Sequence, residues 1–423
     1  MAQVEDISRY LSDDTVFNKI SKQFISIQPD DMKRNNPLLN SIFEKLIDVM
    51  RSQSPLFAKT FQRIIWAGSY YKNTRFGQPE EYDLNFVINL PYKEKDLKFI
   101  STDRPGFIKI RIAGRDENSQ NTLNIDSKAY KELNSFIDDQ SYLNQEKFST
   151  WMEGIFSKVI NATDTNRNRI ILGDHPPIRL KKTGPAFTLI FKPSYSERDI
   201  DIDVVPVLVF STQTLPPIKS SRKDLLQSYL GRCWSAVPKP LKNSKGIFAD
   251  LRHRYWRLCF YEFEKNMISS HDYGRMKPVI RQLKKLRDTQ GWKSIASYYL
   301  ETLCYHEKEI FYISNRNSYT FLFFTMLEKL RDAFRNKEIR YYWDDDLNLL
   351  DNIGPEEMRN MKGRLDNVLK SIRKDIQNDG YAIAKWVLNI DELNRIKRID
   401  KYVTIPTPEP EPENSSQRNC MIF

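Results

Sequence analysis

The sequence predicts an α+β protein of two lobes, with a long N-terminal helix, a mixed sheet and a helical C-terminal lobe. Three observations predict it. Apolar residues recur at helical spacing up to about residue 66, alternate with polar ones between about 67 and 215, and return to helical spacing from about 220 to 400. At 423 residues, 40% apolar and 29% charged, the chain can supply two cores of ordinary size.

In the first part, "LLNSIFEKLIDVM" carries the helical stripe. Strands follow at "YDLNFVINLP", "GFIKIRIAG", "PAFTLIFKP" and "RDIDIDVVPVLVF", with a helical insert near 127 to 160. The later stripes are "MKPVIRQLKKLRD", "SIASYYLETLCY" and "FLFFTMLEKLRDAFR". The expected division is therefore 1–215, a long helix plus the sheet-bearing core; 216–400, a helical lobe; and 401–423, a Pro/Glu/Ser-rich disordered tail. A cleft between the lobes is the natural ligand site.

Sixty-six Lys and Arg against 55 Asp and Glu leave a net charge of +11, which suits a polyanionic partner, nucleic acid or an anionic membrane surface. Cys233, Cys259, Cys304 and Cys420 form no Cys-x-x-Cys pair, and four scattered histidines add no zinc pattern. Sparse cysteine suits a reducing compartment. "MAQVEDISRY" is too polar for a signal peptide, and the longest apolar runs are too short to span a bilayer, so the expected location is cytoplasmic.

The chemistry concentrates in "AGSYYKNTRFGQPEEYDLNFVINLP". Glu81 and Asp83 are two apart, so on a strand they share a face, an arrangement that is costly without a cation between them. Asp199, Asp201 and Asp203 repeat the oddity before a second apolar strand. If the strands are neighbours, a third carboxylate joins the pair, and an all-oxygen cluster of this kind suits two Mg²⁺ or Mn²⁺ ions. Gly68 and Ser69 offer close backbone approach and a hydroxyl to a phosphate.

The order Gly-Ser, Glu-x-Asp, Asp resembles that of the polymerase-β-like nucleotidyltransferases, and the wording resembles cyclic GMP–AMP synthase and the animal cyclic GMP–AMP synthase-like receptors. "GPAFTLIF" followed by "IDVVPVLV" resembles their third-carboxylate strand, pointing to Asp203, with Asp201 on the same face as runner-up. "YWRLCFYEFEK" resembles their Trp-Arg-Leu segment and "SYYLETL" their Ser-Tyr helix; the likeness spans roughly residues 40 to 330. The resemblance implies that Glu81, Asp83 and Asp203 hold the metal ions and serve catalysis. It implies that Gly68 and Ser69 hold the donor triphosphate, and that Arg257, Lys284, Ser297 and Tyr298 contact nucleotides, Tyr298 by stacking. The substrates implied are ATP and GTP, the product a cyclic dinucleotide read by a STING-type receptor in antiviral signalling.

Vertebrate relatives carry a zinc ribbon before the Ser-Tyr helix, whereas "NMISSHDYGRMKPVIRQLKK" has one histidine and no cysteine. No zinc is therefore expected, and double-stranded RNA, the activator of the insect-type receptors, is the implied trigger, with oligomerisation on the duplex. Duplex contact falls to Lys19, Lys22, Lys33 and Arg34, and to Lys219, Arg222, Lys223, Lys239, Lys242 and Lys245. The ending "CMIF" matches a prenylation box at Cys420, and "NRIKRIDK" supplies a basic second signal for the cytosolic face of a membrane. The rival readings are a linear oligonucleotide or RNA-end nucleotidyltransferase, and a catalytically silent, partner-binding relative.

Overall fold

The computed structural model describes residues 7–26, 29–77, 81–113, 123–166, 168–228, 232–241 and 249–403. Its first long element is helix α1 (Pro29–Gln53). Leu39, Ile42, Phe43, Leu46, Ile47 and Met50 recur every three or four residues and are all buried, so one face of α1 is committed to the core. Ser54 ends the run, its hydroxyl accepting from the Phe57 N–H with Pro55 at the first turn of a short following helix. The chain then enters β1 (Phe61–Ala67), turns through α2 (Gly68–Tyr71), and returns as β2 (Glu81–Ile88).

Next come β3 (Leu97–Ser101), β4 (Phe107–Ile112), helices α3 (Ser127–Ser135) and α4 (Gln145–Thr163), then β5 (Arg179–Thr183), β6 (Ala186–Phe191) and β7 (Ile200–Ser211). Two further strands, β8 (Cys233–Val237) and β9 (Trp256–Cys259), complete a nine-stranded sheet of order β1-β2-β7-β8-β9-β4-β3, with β6 and β5 branching from β7. The sheet thus runs past residue 215 into the part expected to be helical. Both late strands are only four or five residues long, too short for alternation to stand out.

Strand β7 is the hub. It pairs with β2 in parallel on one side and antiparallel with β6 and then β8 on the other. Alternation gives β2 two faces. Tyr82, Leu84, Phe86 and Ile88 are buried, and Phe86 meets Phe43 of α1 edge to face. Phe156 of α4 packs on Phe187 of β6, so helices cover this side. On the opposite face Val87, Val207 and Val209 join Ile65, Ala67 and Tyr261 in a second apolar cluster. Toward the start of β2 and β7 that same face carries carboxylates instead.

The helical lobe comprises α5 (Tyr261–Ser269), α6 (Met276–Thr289), α7 (Ser297–His306), α8 (Tyr319–Asn336) and α9 (Pro355–Asp375). A short pair, β10 (Arg340–Tyr341) and β11 (Asp344–Asn348), lies between the last two. Helix α6 packs against both α7 and α8. The early residues dock on this lobe: Asp14 accepts from the N–H groups of Tyr319 and Thr320 at the start of α8, and Gln282 donates to the Phe17 carbonyl. Among the described residues no helix is long and apolar enough to cross a membrane.

Candidate active site

The parallel register of β2 and β7 sets Glu81 beside Asp201 and Asp83 beside Asp203. Because alternate residues share a face, all four acids stand on one side of two adjacent strands. Thr188 of β6, the antiparallel neighbour of Asp203, donates its hydroxyl to Asp203 Oδ1 at 2.6 Å. The strain of this concentration is visible in the acids themselves. Desolvation by surrounding protein, then the charge of Asp203, raises the pKa of Asp83; Glu81 adds to the effect and Arg75 opposes it. Desolvation, then Asp199, Glu81 and Asp203, likewise raises Asp201.

Gly68 faces these acids from across the β1–α2 turn. It adopts φ +71°, and a Cβ built on it would sit 1.8 Å from Asp83 Oδ2, so backbone and carboxylate meet where only glycine fits. Ser69 follows in α2, and its carbonyl accepts from the N–H groups of Thr74 and Arg75, folding the loop back on itself. Arg75 then reaches the Glu81 carbonyl and approaches the Glu81 carboxylate at 3.9 Å. Glu81 is otherwise open to solvent.

Among the described residues no group of three or more acids, histidines or cysteines is arranged to hold a metal ion. Glu81 turns toward Arg75, away from a shared position with the other three acids. The donor set nevertheless fits a hard divalent cation. It is all carboxylate oxygen, burial and then the charge of Asp203 disfavour the anion of Asp83 whereas a cation there would favour it, and the Gly68 approach keeps a side chain out of the space beside it.

A cleft of about 430 Å³ opens beside the acids. Gly68, Ser69, Asp83, Arg257, Ser297 and Tyr298 line it, which brings together six of the residues singled out in the sequence. Arg257 lies over the rings of Phe107 and Tyr341, 5.3 and 5.4 Å from their centroids. Ser297 Oγ accepts from Arg287 at 2.9 Å. Tyr298 donates its hydroxyl to Glu264 at 2.6 Å, and burial followed by the Glu264 charge keeps that hydroxyl protonated. Lys284 does not reach the cleft: it is 2% exposed and bonded to Glu301 and Thr74 beneath it.

The cleft residues not singled out as site residues in the sequence include Lys72, Glu264, Glu301 and Tyr341, all with polar side chains. A signal existed for two of them. Glu264 shares the buried side of α5 with Tyr261, Phe263, Met267 and Ile268, and Glu301 falls among buried neighbours on α7. A charged residue on an apolar stripe asks for a partner.

The two lobes and the site correspond to known domains. Residues 70–270 match the Mab-21 protein nucleotidyltransferase domain, and residues 275–367 match the Mab-21 protein HhH/H2TH-like domain. A cyclic GMP-AMP synthase-like receptor of Microplitis demolitor is 35% identical over 412 residues, covering 96% of this chain and 74% of that protein. The chain belongs to the cyclic GMP–AMP synthase-like receptor family. Two other cyclic GMP-AMP synthase-like receptors show the same breadth of likeness. The Trichogramma pretiosum protein is 34% identical over 93% of this chain and 79% of its own length. The Aethina tumida protein is 31% identical over 92% and 95%. The fold is accordingly the α+β, polymerase-β-like nucleotidyltransferase fold of the family.

The basic residues expected on a duplex are scattered within this receptor-family fold. Lys22, Arg34, Lys223 and Lys239 are exposed and Lys19 is half-buried. Lys219 is exposed but pairs with Asp346 at 2.8 Å. Arg222 is half-buried, its guanidinium 4.3 Å from the centroid of the Tyr342 ring and bonded to the Tyr342 carbonyl, Asp345 and His306. Those contacts dock its loop on β11. The side chain of Lys33, and residues Lys242, Lys245 and Cys420, lie outside the described residues.

Proposed function

We propose that this chain is a double-stranded-RNA-activated nucleotidyltransferase that joins ATP and GTP into a cyclic dinucleotide of the cyclic GMP–AMP type. One observation carries the reading: the β2–β7 register gathers the acids on one face, directly against the Gly68–Ser69 turn and beside a cleft walled by Tyr298 and Arg257.

In this reading Gly68 and Ser69 bind the donor triphosphate through backbone N–H groups and a hydroxyl. The Tyr298 ring supports a base, and Arg257 offers its guanidinium to phosphate or base. Glu81, Asp83 and Asp203 would hold two Mg²⁺ or Mn²⁺ ions, with Asp201 beside Glu81 as the alternative ligand. Bound there, the ions supply charge neutralisation for the attacking and leaving oxygens of phosphoryl transfer. An acceptor hydroxyl forms a P–O bond to the donor α-phosphorus, its proton passes to a carboxylate of the acidic face, and pyrophosphate leaves. The linear half-product re-enters the cleft and its remaining triphosphate closes the ring by the same step.

The relatives' shared name, cyclic GMP-AMP synthase-like receptor, supports the product class, and the cysteine-free stretch 266–285 supports an RNA rather than a zinc-assisted DNA trigger. The product would be read by a STING-type receptor. Cys420 in "CMIF" is proposed as a geranylgeranyl site that places the enzyme on the cytosolic face of a membrane.

The test combines the purified full chain with ATP, GTP and Mg²⁺ or Mn²⁺, adding duplex RNA, duplex DNA or neither. A phosphatase-resistant product with duplex RNA alone is expected. Absence of product in every mixture overturns the enzyme reading; a phosphatase-sensitive oligomer favours the linear synthase; product with DNA alone overturns the RNA trigger.

A further inference from the structure

Three of the residues that line the cleft, Lys72, Glu264 and Glu301, join Lys284 behind them in a set of four buried charges that the reaction as described does not use. Lys72, Glu264, Lys284 and Glu301 each have side chains 5% exposed or less, and they balance two against two. Lys72 Nζ donates to Glu264 Oε2 at 2.7 Å, to Glu301 Oε2 at 3.2 Å and to the Tyr305 hydroxyl at 3.4 Å. Lys284 Nζ donates to Glu301 Oε1 at 2.6 Å and to the carbonyl and hydroxyl of Thr74, both at 3.1 Å. The second oxygen of Glu264 accepts from Tyr298 Oη at 2.6 Å and from Trp343 Nε1 at 3.1 Å. Glu301 Oε1 also accepts from the Thr74 hydroxyl at 2.9 Å.

The placement of these residues matters more than their number. Lys72 and Thr74 lie on the loop that begins with Ser69, and Thr74 donates its N–H to the Ser69 carbonyl at 2.9 Å. Glu264, Lys284 and Glu301 lie on three different helices of the helical lobe. Arg281 of α6 adds a bond to the Asn73 carbonyl at 3.3 Å. Glu264 simultaneously fixes the hydroxyl of Tyr298. One cluster therefore grips both the turn that faces the triphosphate and the aromatic wall that faces the base.

A purely stabilising purpose does not explain the choice of residues. Desolvating four ions costs heavily, and replacing buried ion pairs with apolar residues is often neutral or stabilising. What the ions give is direction, since each donor and acceptor is spent on a defined partner. Resting on the nucleotidyltransferase reading above, we propose that Lys72, with Glu264, Glu301 and Lys284, is a positioning cluster that couples the seating of a nucleotide base on Tyr298 to the seating of its triphosphate on the Gly68–Ser69 turn.

The test measures binding of a non-hydrolysable ATP analogue with Mg²⁺ by calorimetry, alongside thermal unfolding of the same full-length samples. Lys72→Met strands a buried carboxylate and should lose both stability and affinity. Lys72→Met/Glu264→Gln removes one charge of each sign and should regain most of the stability while binding the analogue at least about tenfold more weakly, a change of about 1.4 kcal/mol. Tyr298→Phe keeps the ring and removes the hydroxyl that donates to Glu264, whose oxygen retains the Trp343 N–H; it should lose less stability than Lys72→Met and bind several-fold more weakly. In turnover, both variants should raise KM more than they lower kcat.

Affinity that returns with stability in the double variant, or full affinity in Tyr298→Phe, overturns the coupling and leaves a structural cluster. A well-folded parent chain that does not bind the analogue has a different meaning: it sinks the nucleotide reading, and the coupling with it.

Discussion

Replacing Gly68 with alanine tests the contact on which the site depends. Two penalties are separable in the structure. At φ +71° any L-residue other than glycine is strained, which costs about 1 to 2 kcal/mol. The added Cβ would also lie 1.8 Å from Asp83 Oδ2, where ordinary contact begins near 3.4 Å, so turn and carboxylate must separate by about 1.6 Å. A shift of that size at reacting groups costs on the order of 100-fold in rate. Gly77 provides the control, because it has φ +82° and, among the described residues, nothing within 4 Å of its built Cβ. Gly77→Ala should therefore show the strain penalty alone and keep nucleotidyl transfer within about threefold of the parent. Gly68→Ala should lose about 100-fold or more in kcat/KM, measured as pyrophosphate release, with a drop in urea midpoint larger than that of Gly77→Ala because the clash adds to the strain. Equal activity in the two variants would refute the claim that the Gly68–Asp83 approach organises the site.

Two further outcomes follow from the charges. Asp83→Asn should abolish turnover yet raise the Tm of the metal-free protein by about 1 to 2 °C, because it removes a carboxylate whose charge is disfavoured first by burial and then by its acidic neighbours; a lower Tm would contradict that account. Burial works against the charge of Glu301, but Lys72 and Lys284 override it and hold its pKa at about 2 against an ordinary 4.5. A depressed carboxyl stabilises the fold above its unfolded pKa and loses that contribution as pH falls toward the folded one. The Tm gap between parent and Glu301→Gln should thus be widest at neutral pH and shrink progressively below about pH 4.5; a constant gap down to pH 3 would contradict the assignment.

Much of this arrangement was legible in the chain because period carries it. Two acids separated by one residue can share a face only on a strand, and "YDLNFVINLP" leaves no doubt about the strand. The partnership of β2 with β7 was legible only as a condition, since pairing across more than a hundred residues leaves no local mark. Strands β8 and β9 were missed for a related reason: Cys233–Val237 and Trp256–Cys259 are stabilised by neighbours on both sides, not by their own alternation. Lys284 shows the opposite failure. The resemblance implies a nucleotide contact for it, and a helix that also carries Arg281, Lys285 and Arg287 gives no sign that this lysine occupies the buried stripe with Ile280 and Leu283.

That last residue bears on how such a site could evolve. Helix α6 spends Lys284 and Arg281 on the backbone of the loop between Ser69 and Glu81. Arg75, within the same loop, spends its side chain on Glu81. The acidic face and the Gly68–Ser69 turn are therefore set by the strand register at one end and by a helix of the other lobe at the other. A change in how α6 sits against the sheet lobe would reach Ser69 through the Thr74 carbonyl and N–H without altering a single residue in contact with substrate. Under the proposed function, an activating duplex bound across both lobes would have, in this loop, a short mechanical route to the acidic face, since packed interfaces shift between discrete arrangements and do not deform smoothly.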